Sequence, residues 1–161
     1  MSTGSNVWFD EDDDAAFPSE IQESGARTIS TLTADEERTA AMRCHFFTAA
    51  LIFGGFLAWF AFVVPIAYRQ TRGKKSVWVK AQATELLNFT LTFAGVWAIL
   101  GLIGFALSAV TAGIGGLFVV PIIIAWHIYS FVVTWKAGRA ARRGENYRFR
   151  FSLRPITVEM P

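Results

Sequence analysis

The sequence predicts an all-α fold: an integral membrane helical bundle with three transmembrane helices, preceded by a disordered acidic N-terminal tail. The first observation is composition, since 53% of the 161 residues are hydrophobic and 17% are charged, against about 25% charged in ordinary globular proteins. The second is that residues 44–68 and 86–135 contain no charged side chain, which is typical of membrane spans. A disulfide scaffold is excluded because the chain has one cysteine.

Charge is divided unevenly along the chain. Residues 1–40 carry ten acids and two bases, whereas residues 41–161 carry thirteen bases and three acids. Residues 1–30 have no helical or strand periodicity, so we predict a disordered tail over residues 1–32. The acidic run at 10–14 fits either a docking segment for a basic partner or a solvating tail. We expect no signal peptide at the N-terminus, because it begins polar and turns acidic.

The helical transmembrane domain is predicted over residues 33–156, followed by a short end at 157–161. It begins at Thr33, because Thr33-Ala34-Asp35-Glu36 matches a capping box. The first uncharged segment, 44–68, would span about 37 Å as one helix, enough for a hydrocarbon core of about 30 Å. Gly54-Gly55 leaves a second interpretation open, in which this segment is a broken hairpin and the bundle has four membrane segments.

The second uncharged stretch, residues 86–135, is too long for one span. It predicts two spans, at 86–109 and 115–135, joined by a glycine-rich turn. Residues 76–85 before it fit either a helix lying in the headgroup region or the first turns of the second span. The core of a soluble helical protein is excluded, because these segments are apolar all round.

Lysines and arginines in the short flanks predict the orientation. The loop 69–80 holds five of them and the C-terminal flank 136–154 holds seven, whereas the turn 108–116 holds none. Because basic flanks stay inside, we expect a prokaryotic cytoplasmic (inner) membrane protein with a cytoplasmic C-terminus. Three spans then place the N-terminal tail outside, whereas a broken first segment returns it to the cytoplasm.

The sequence contains no recognisable catalytic, cofactor or metal motif. Cys44 and His45 are adjacent, and neighbouring side chains on a helix point about 100° apart, so they do not form a nucleophile and base. His45 and His127 would lie roughly 18 Å apart along the membrane normal, too far for the two axial ligands of one haem. We therefore expect no enzymatic activity, no cofactor, no metal and no nucleic-acid binding.

A few polar residues near the spans are candidate structural or functional residues. Glu85 and Asn88 lie at the entrance of the second span, and Glu85 is expected to pair with Lys80 or with an arginine of the C-terminal flank. The alternative for Glu85 is a transport or proton role. His127 is expected to face the bundle, hydrogen-bonded to a neighbouring helix.

Two further candidates follow the third span. Glu145 is expected to pair with a base of the 69–80 loop or of its own flank, or else to be solvated at a turn. Tyr147 is expected to anchor the chain at the membrane interface. A narrow face of small residues on the second span is expected to pack against another span or a second copy; it consists of Ala94, Ala98, Gly101, Gly104 and Ser108.

Motifs spread over residues 37–156 resemble a family of small prokaryotic membrane proteins of unassigned function, the Tic-twenty-like group. That group is related to the twenty-kilodalton subunit of the chloroplast inner-envelope protein translocon. The run 143–149 is the most specific piece, being similar to the family's Gly-Glu-x-Tyr ending. The other matching residues are Glu37-Arg38, Ala41-Met42, His45, Pro65, Glu85-Leu86-Leu87-Asn88-Phe89 and Pro121-Ile122-Ile123. The resemblance implies a helical membrane bundle and supports no enzymatic activity.

Two functions fit these observations. The first is a non-enzymatic accessory or assembly subunit of a larger membrane complex, whose partners are the lipid bilayer and either another membrane protein or a second copy. The alternative is a homo-oligomeric channel or transporter related to the translocon group. No predicted span carries the polar stripe that a water-filled pore needs, which favours the first function.

Overall fold

The computed structural model describes residues 30–156, and the described residues form helices joined by turns, with no β-strand among them. The four α-helices are α1 (Ala34–Phe53), α2 (Val63–Thr71), α3 (Val77–Val110) and α4 (Gly116–Arg143). Two 3-10 helices, Gly55–Phe60 and Arg72–Lys74, flank α2. The predicted tail up to residue 29 and the end at 157–161 lie outside the described residues.

The capping box predicted at Thr33 begins α1. The Glu36 amide donates to Thr33 Oγ1 at 3.3 Å, and the Thr33 amide donates to Glu36 Oε2 at 2.8 Å. The helix ends at Phe53, because Gly55 has φ +63°, a left-handed conformation that residues with a Cβ rarely adopt. The segment 44–68 is therefore not one continuous helix, and the break at its two glycines agrees with the second interpretation, a broken first segment.

The broken segment returns to the end of the bundle from which it started. The Thr31 amide donates to the Lys75 carbonyl at 2.9 Å, so the chain enters α1 beside the loop that leaves α2. The end of α4 lies there too, because a Cβ on Gly144 would be 2.9 Å from Arg38 Nε. We call this end of the bundle the basic end, defined by Arg38, Arg72, Lys74, Lys75 and Arg143.

This return path corrects the predicted topology. With three spans, the start of the folded chain would lie on the side of the turn 108–116, opposite the basic loop. The hydrogen bond between Thr31 and Lys75 instead places residue 31 at the basic end. The side of the membrane occupied by the tail itself, predicted to be outside, concerns residues outside the described range.

α3 begins at the basic end as a continuous helix. Ser76 caps it, with the Val79 amide donating to Ser76 Oγ at 3.2 Å. Residues 77–85 are therefore the first turns of the long helix rather than a separate interfacial helix. The turn into α4 contains Ala112 with φ 50° and Gly113 with φ 95°, and Thr111 Oγ1 accepts from the Gly115 amide at 2.6 Å.

α3 and α4 form an antiparallel hairpin with an apolar outer surface. At 34 and 28 residues, they are the two described helices that are long and apolar enough to cross a membrane. Their most apolar stretches are only 6% and 17% buried within the chain. Side chains that the protein leaves uncovered in this way require an apolar surrounding, which a bilayer supplies.

The packed core lies toward the basic end. One buried cluster consists of Cys44, Ala83, Leu86, Phe89, Ala137 and Phe149, and a second of Ile52, Ala58, Ala61 and Phe93. α1 packs antiparallel to α4 and approaches most closely at Gly138, where a Cβ would lie 2.8 Å from Phe46 Cε1. α1 ends level with Phe93 and His127. From there α3 continues for about 25 Å, so the hairpin tip extends beyond α1.

Candidate functional site

A polar face runs along the first half of α3. Trp78, Gln82, Glu85, Asn88 and Thr92 are spaced three or four residues apart, which places them on one side of a helix. Each of these side chains contacts residues 145–156, which leave α4, turn back along α3 and are called here the C-terminal strap. Gln82 also contacts α1.

Gly144 makes the turn that sends the strap back. It has φ +82° after the end of α4. Its amide donates to the Ala141 carbonyl at 3.0 Å, and the Glu145 amide donates to the Ala140 carbonyl at 3.1 Å. These two bonds satisfy carbonyls that the helix end would leave free, as in a Schellman motif. The turn reverses the chain and directs residues 146–156 toward α3.

A hydrogen-bonded chain joins three elements near the basic end. Asn146 Oδ1 accepts from Trp78 Nε1 at 2.7 Å and from Gln82 Nε2 at 3.1 Å. Gln82 Oε1 in turn accepts from His45 Nε2 of α1 at 3.4 Å. His45 is 1% exposed, and its Nδ1 has no hydrogen-bond partner within residues 30–156. The side chain of Asn146 therefore ties the strap to both α3 and α1.

Asn88 holds the strap farther along α3 by pairing with its backbone. Asn88 Nδ2 donates to the Ile156 carbonyl at 2.8 Å, and the Ile156 amide donates to Asn88 Oδ1 at 3.2 Å. The amide side chain thus satisfies both backbone groups of one residue, much as a neighbouring strand would. One turn later, Thr92 Oγ1 accepts from the Leu153 amide at 2.9 Å.

Glu85 forms an ion pair with the strap. Arg154 Nε lies 3.4 Å from Glu85 Oε1, and the Glu85 side chain is 20% exposed. The partner thus comes from the C-terminal flank rather than being Lys80. The second carboxylate oxygen, Oε2, is buried without a hydrogen-bond partner among the described residues.

An aromatic stack fixes the middle of the strap. Phe149 is 1% exposed and stacks on Phe89 with ring centroids 4.3 Å apart and an interplanar angle of 16°. Tyr147 packs edge-on against Phe149 at 5.3 Å, and the His45 ring lies 6.2 Å from it. Stacking of this kind adds about 0.5–1.5 kcal/mol to the burial of the rings. Tyr147 is therefore half-buried against the core and oriented by its neighbour.

Glu145 is held by its own flank. Its two carboxylate oxygens accept from Arg143 Nε at 2.5 Å and from Arg143 Nη2 at 2.6 Å, a bidentate pairing. The hydrogen bond from Arg143 holds the pKa of Glu145 below its ordinary value. Both side chains are more than half exposed, so the pair contributes little to stability. Of the two expected partners, the structure shows the flank and not the 69–80 loop.

His127 lies apart from the strap, at the break in the first segment. Its Nε2 donates a short hydrogen bond to the Ile52 carbonyl, and its ring has edge contacts with Phe93 and Trp97. Ile52 is in the last turn of α1, where carbonyl groups lose their helical partners. Inside a bilayer an unsatisfied carbonyl is costly, so His127 stabilises the broken end of α1.

The small-residue face of α3 is divided between two environments. A Cβ on Gly104 would lie 3.2 Å from Val119 Cγ1, and a Cβ on Gly116 would lie 2.7 Å from Ser108 Oγ, so Gly104 and Ser108 face α4. Ala98 and Gly101 are exposed, and nothing lies within 4 Å of a Cβ on Gly101. Ala94 lines a shallow aromatic cleft beside Trp59 and Trp97.

The arrangement holds one segment of the chain against the bundle through side-chain contacts. Among residues 30–156, no three His, Cys, Asp or Glu side chains gather where they could hold a metal ion. Cys44 is buried in the first core cluster, while its neighbour His45 bonds to Gln82. The polar groups of the α3 face are engaged with the strap, so what this site does is fix the C-terminal segment to the bundle.

Sequence reasoning named part of this site and missed the rest. Glu85, Asn88, Glu145 and Tyr147 all lie in or beside the strap contact, whereas His127 does not. The residues that it did not assign to the site are Trp78, Gln82, Thr92, Asn146 and Phe149, whereas Arg154 is one of the flank arginines expected to pair with Glu85. The spacing of the polar residues along α3 was a signal for the helical half of the site. No periodicity marked the strap, because its residues contact α3 singly and irregularly.

Comparison with known proteins gives one match. The sequence model of the magnetosome magnetite crystal formation protein family, MamF/MmsF, matches residues 36–156. No curated protein and no solved structure matches significantly. The expected membership of the Tic-twenty-like group is thus wrong, and the link to a protein translocon falls with it. The match covers the strap and all four α-helices, apart from the first two residues of α1. The chain belongs to the MamF/MmsF family of magnetosome membrane proteins.

Proposed function

We propose that this protein is a non-enzymatic accessory or assembly component of the magnetosome membrane that supports magnetite crystal formation. The observation that carries the proposal is the family match over residues 36–156. The structure supports it through the division of the bundle into a charged, packed end and an apolar hairpin. A protein built in this way is suited to being anchored in a bilayer and to contacting other components at one surface.

The orientation belongs to the proposal. Basic residues concentrate at the end where α1 begins and α4 ends, and short basic flanks favour the cytoplasmic side. We place the basic end at the cytoplasmic face of a membrane derived from the inner membrane. The turn between α3 and α4 then faces the opposite side.

That turn argues for an assembly role rather than direct binding of iron. Residues 108–116 contain no ionisable side chain. Iron ions and iron oxide surfaces are bound in proteins by carboxylate, imidazole or thiolate ligands, and the described chain offers none at this end. The chain is therefore better suited to organising the membrane or its proteins than to nucleating mineral at the turn.

The lateral partner is either a second copy or another membrane protein. Ala98 and Gly101 are exposed on α3 next to large apolar side chains, and small residues allow a second helix to approach closely in lipid. Gly101→Leu should therefore reduce assembly in detergent without unfolding the chain. Unchanged assembly size in this variant would show that the surface contacts lipid only.

The experiment that tests the function is deletion of the gene in the magnetite-forming bacterium that carries it. We expect smaller or misshapen crystals by electron microscopy, restored by the wild-type gene. Unchanged crystal size, shape and number after deletion would contradict the proposal. A non-enzymatic role also predicts full restoration by Cys44→Ala and by Glu85→Gln, provided that each variant reaches the wild-type protein level in the membrane fraction.

A further inference from the structure

The chain preceding α1 leaves the described bundle at its basic end. The Thr31 amide donates to the Lys75 carbonyl at 2.9 Å, and Ser30 Oγ donates to Glu37 Oε1 at 2.5 Å. The hydrogen bonds with Thr33 lower the pKa of Glu36, and the positive charges of Arg72 and Lys75 lower it further. Residues 1–29 are therefore attached next to the loop 72–75.

The charges of the two parts are complementary. Residues 30–156 hold fourteen lysines and arginines and five acids, so this part of the chain carries a formal net charge of +9. Residues 1–29 hold seven acids and one base, and five of those acids form the run 10–14. The acidic run therefore has a basic surface of opposite charge within its own chain.

The connection is long enough for the two to meet. Fifteen residues lie between position 14 and position 30, and the sixteen residue-to-residue steps of an extended chain reach about 50 Å. The loop 72–75 lies beside residue 31, well within that distance. A tether of this length holds its segment at an effective concentration of the order of millimolar, which favours weak electrostatic contact within one molecule over contact with another.

We propose that the acidic run 10–14 docks on the basic end of its own bundle. The contact is electrostatic, between the carboxylates of residues 10–14 and the lysines and arginines around the loop 72–75. It goes beyond the proposed function, because it assigns an occupant to the surface that would otherwise face anionic headgroups. The acidic segment and an anionic lipid surface then compete for the same bases, and high salt weakens both contacts.

Zero-length carbodiimide cross-linking of the full chain tests this directly, because it joins a carboxylate to an amine only where the two touch. The full-length protein in neutral phosphatidylcholine nanodiscs should give amide links between residues 10–14 and Lys74 or Lys75. The yield should fall several-fold between about 0.02 M and about 1 M salt, since the screening length shortens from roughly 20 Å to 3 Å. Arg69→Gln combined with Arg72→Gln, which keeps both reacting lysines, should lower the yield at low salt.

Mixing unlabelled and ¹⁵N-labelled protein before cross-linking separates contacts within one chain from contacts between copies. The proposal predicts linked peptides of a single isotope. Mixed-isotope links would assign the basic end to a second copy, and the absence of any link from residues 10–14 at low salt would also overturn the proposal. In nanodiscs that contain phosphatidylglycerol the link should persist at a lower yield, because the headgroups compete for the same bases; its complete loss there would overturn the proposal, since lipid would then hold the surface. None of these outcomes depends on crystal formation, so this proposal and the proposed function fail independently.

Discussion

Replacing Asn88 by alanine tests whether the polar face of α3 holds the C-terminal strap. Asn88 is 1% exposed, and its amide group makes two hydrogen bonds to the backbone of Ile156. Alanine removes both bonds and leaves the backbone groups of Ile156 without their partner. The neighbouring anchor, Thr92 with Leu153, is chemically untouched by the change.

The expected magnitude follows from the number of bonds lost. A hydrogen bond between neutral groups contributes about 0.5–1.5 kcal/mol net, so two bonds contribute about 1–3 kcal/mol. Because about 1.4 kcal/mol changes an equilibrium tenfold, the opening of the strap should become about 5- to 150-fold more favourable. The amide of Leu153 should lose protection as well as the amide of Ile156, since both are released when the strap detaches.

Amide hydrogen exchange measured by mass spectrometry on the detergent-solubilised protein is the assay. Exchange at Leu153 should accelerate in Asn88→Ala by the factor given above. Thr90→Ala is the matched control, because Thr90 is also buried in α3 but its hydroxyl donates to the Leu87 carbonyl of its own helix. An unchanged rate at Leu153 in Asn88→Ala, or the same acceleration in both variants, would refute the role given to Asn88.

Three further predictions concern packing, protonation and anchoring. Gly138→Ala should destabilise the protein by about 1–3 kcal/mol in detergent unfolding, because the new Cβ would lie 2.8 Å from Phe46 Cε1. Gly101→Ala is the control, because no atom lies within 4 Å of a Cβ at that position. Equal effects of the two substitutions would contradict the close approach of α1 to α4. The hydrogen bond from the Thr33 amide holds the pKa of Glu36 below its ordinary value of 4.5. The ionised Glu36 side chain therefore stabilises the first turn of α1 fully above pH 4.5, and this stabilisation is lost as the pH falls through the lower pKa that Glu36 has in the folded protein. Glu36→Gln should remove that acid-induced loss of amide protection, and an identical loss in the variant would assign it to another group. Tyr147→Ala should lower the stability by about 2 kcal/mol, because the half-buried ring packs on the core; an unchanged melting temperature would show that the ring contributes no packing.

The helical elements were predictable because each depends on local sequence. The capping box at Thr33 marked the start of α1, and the two spans predicted at 86–109 and 115–135 lie within α3 and α4 apart from residue 115. Absence of charge over fifty residues, with a glycine-rich turn in the middle, is sufficient to predict an apolar helical hairpin. These are properties of consecutive residues, and they do not require knowledge of tertiary contacts.

The first segment shows the limit of that reasoning. Hydropathy over 44–68 describes whether residues prefer lipid, and it does not describe the backbone conformation. Gly55 adopts φ +63°, which ends α1 halfway along α3, and His127 then satisfies the Ile52 carbonyl at the break. The glycine pair indicated that a break was available, but the partner that stabilises it comes from a residue seventy-five positions away.

Neither the docking of the strap nor the family could be predicted from the sequence motifs, and the reasons differ. The strap contacts are made by residues separated by more than sixty positions, such as Asn88 with Ile156, and residues 145–156 have no periodicity that would predict a docked segment. The motifs that resemble the Tic-twenty-like group are short and scattered along the chain. They consist of features of small membrane proteins, such as a proline in a span and a basic flank. A match over residues 36–156 as a whole assigned the family correctly.

The chain enters and leaves the first membrane segment at one end of the bundle, opposite the turn between α3 and α4. Impermeant thiol labelling in sealed vesicles of known orientation tests it, using a Cys44→Ala background with single cysteines introduced at Ala34, Gln70 or Ala112, all exposed positions. We expect Ala34→Cys and Gln70→Cys to react from the same side and Ala112→Cys only from the other. Reaction of Ala34→Cys from the side of Ala112→Cys would contradict the hairpin and restore a single first span.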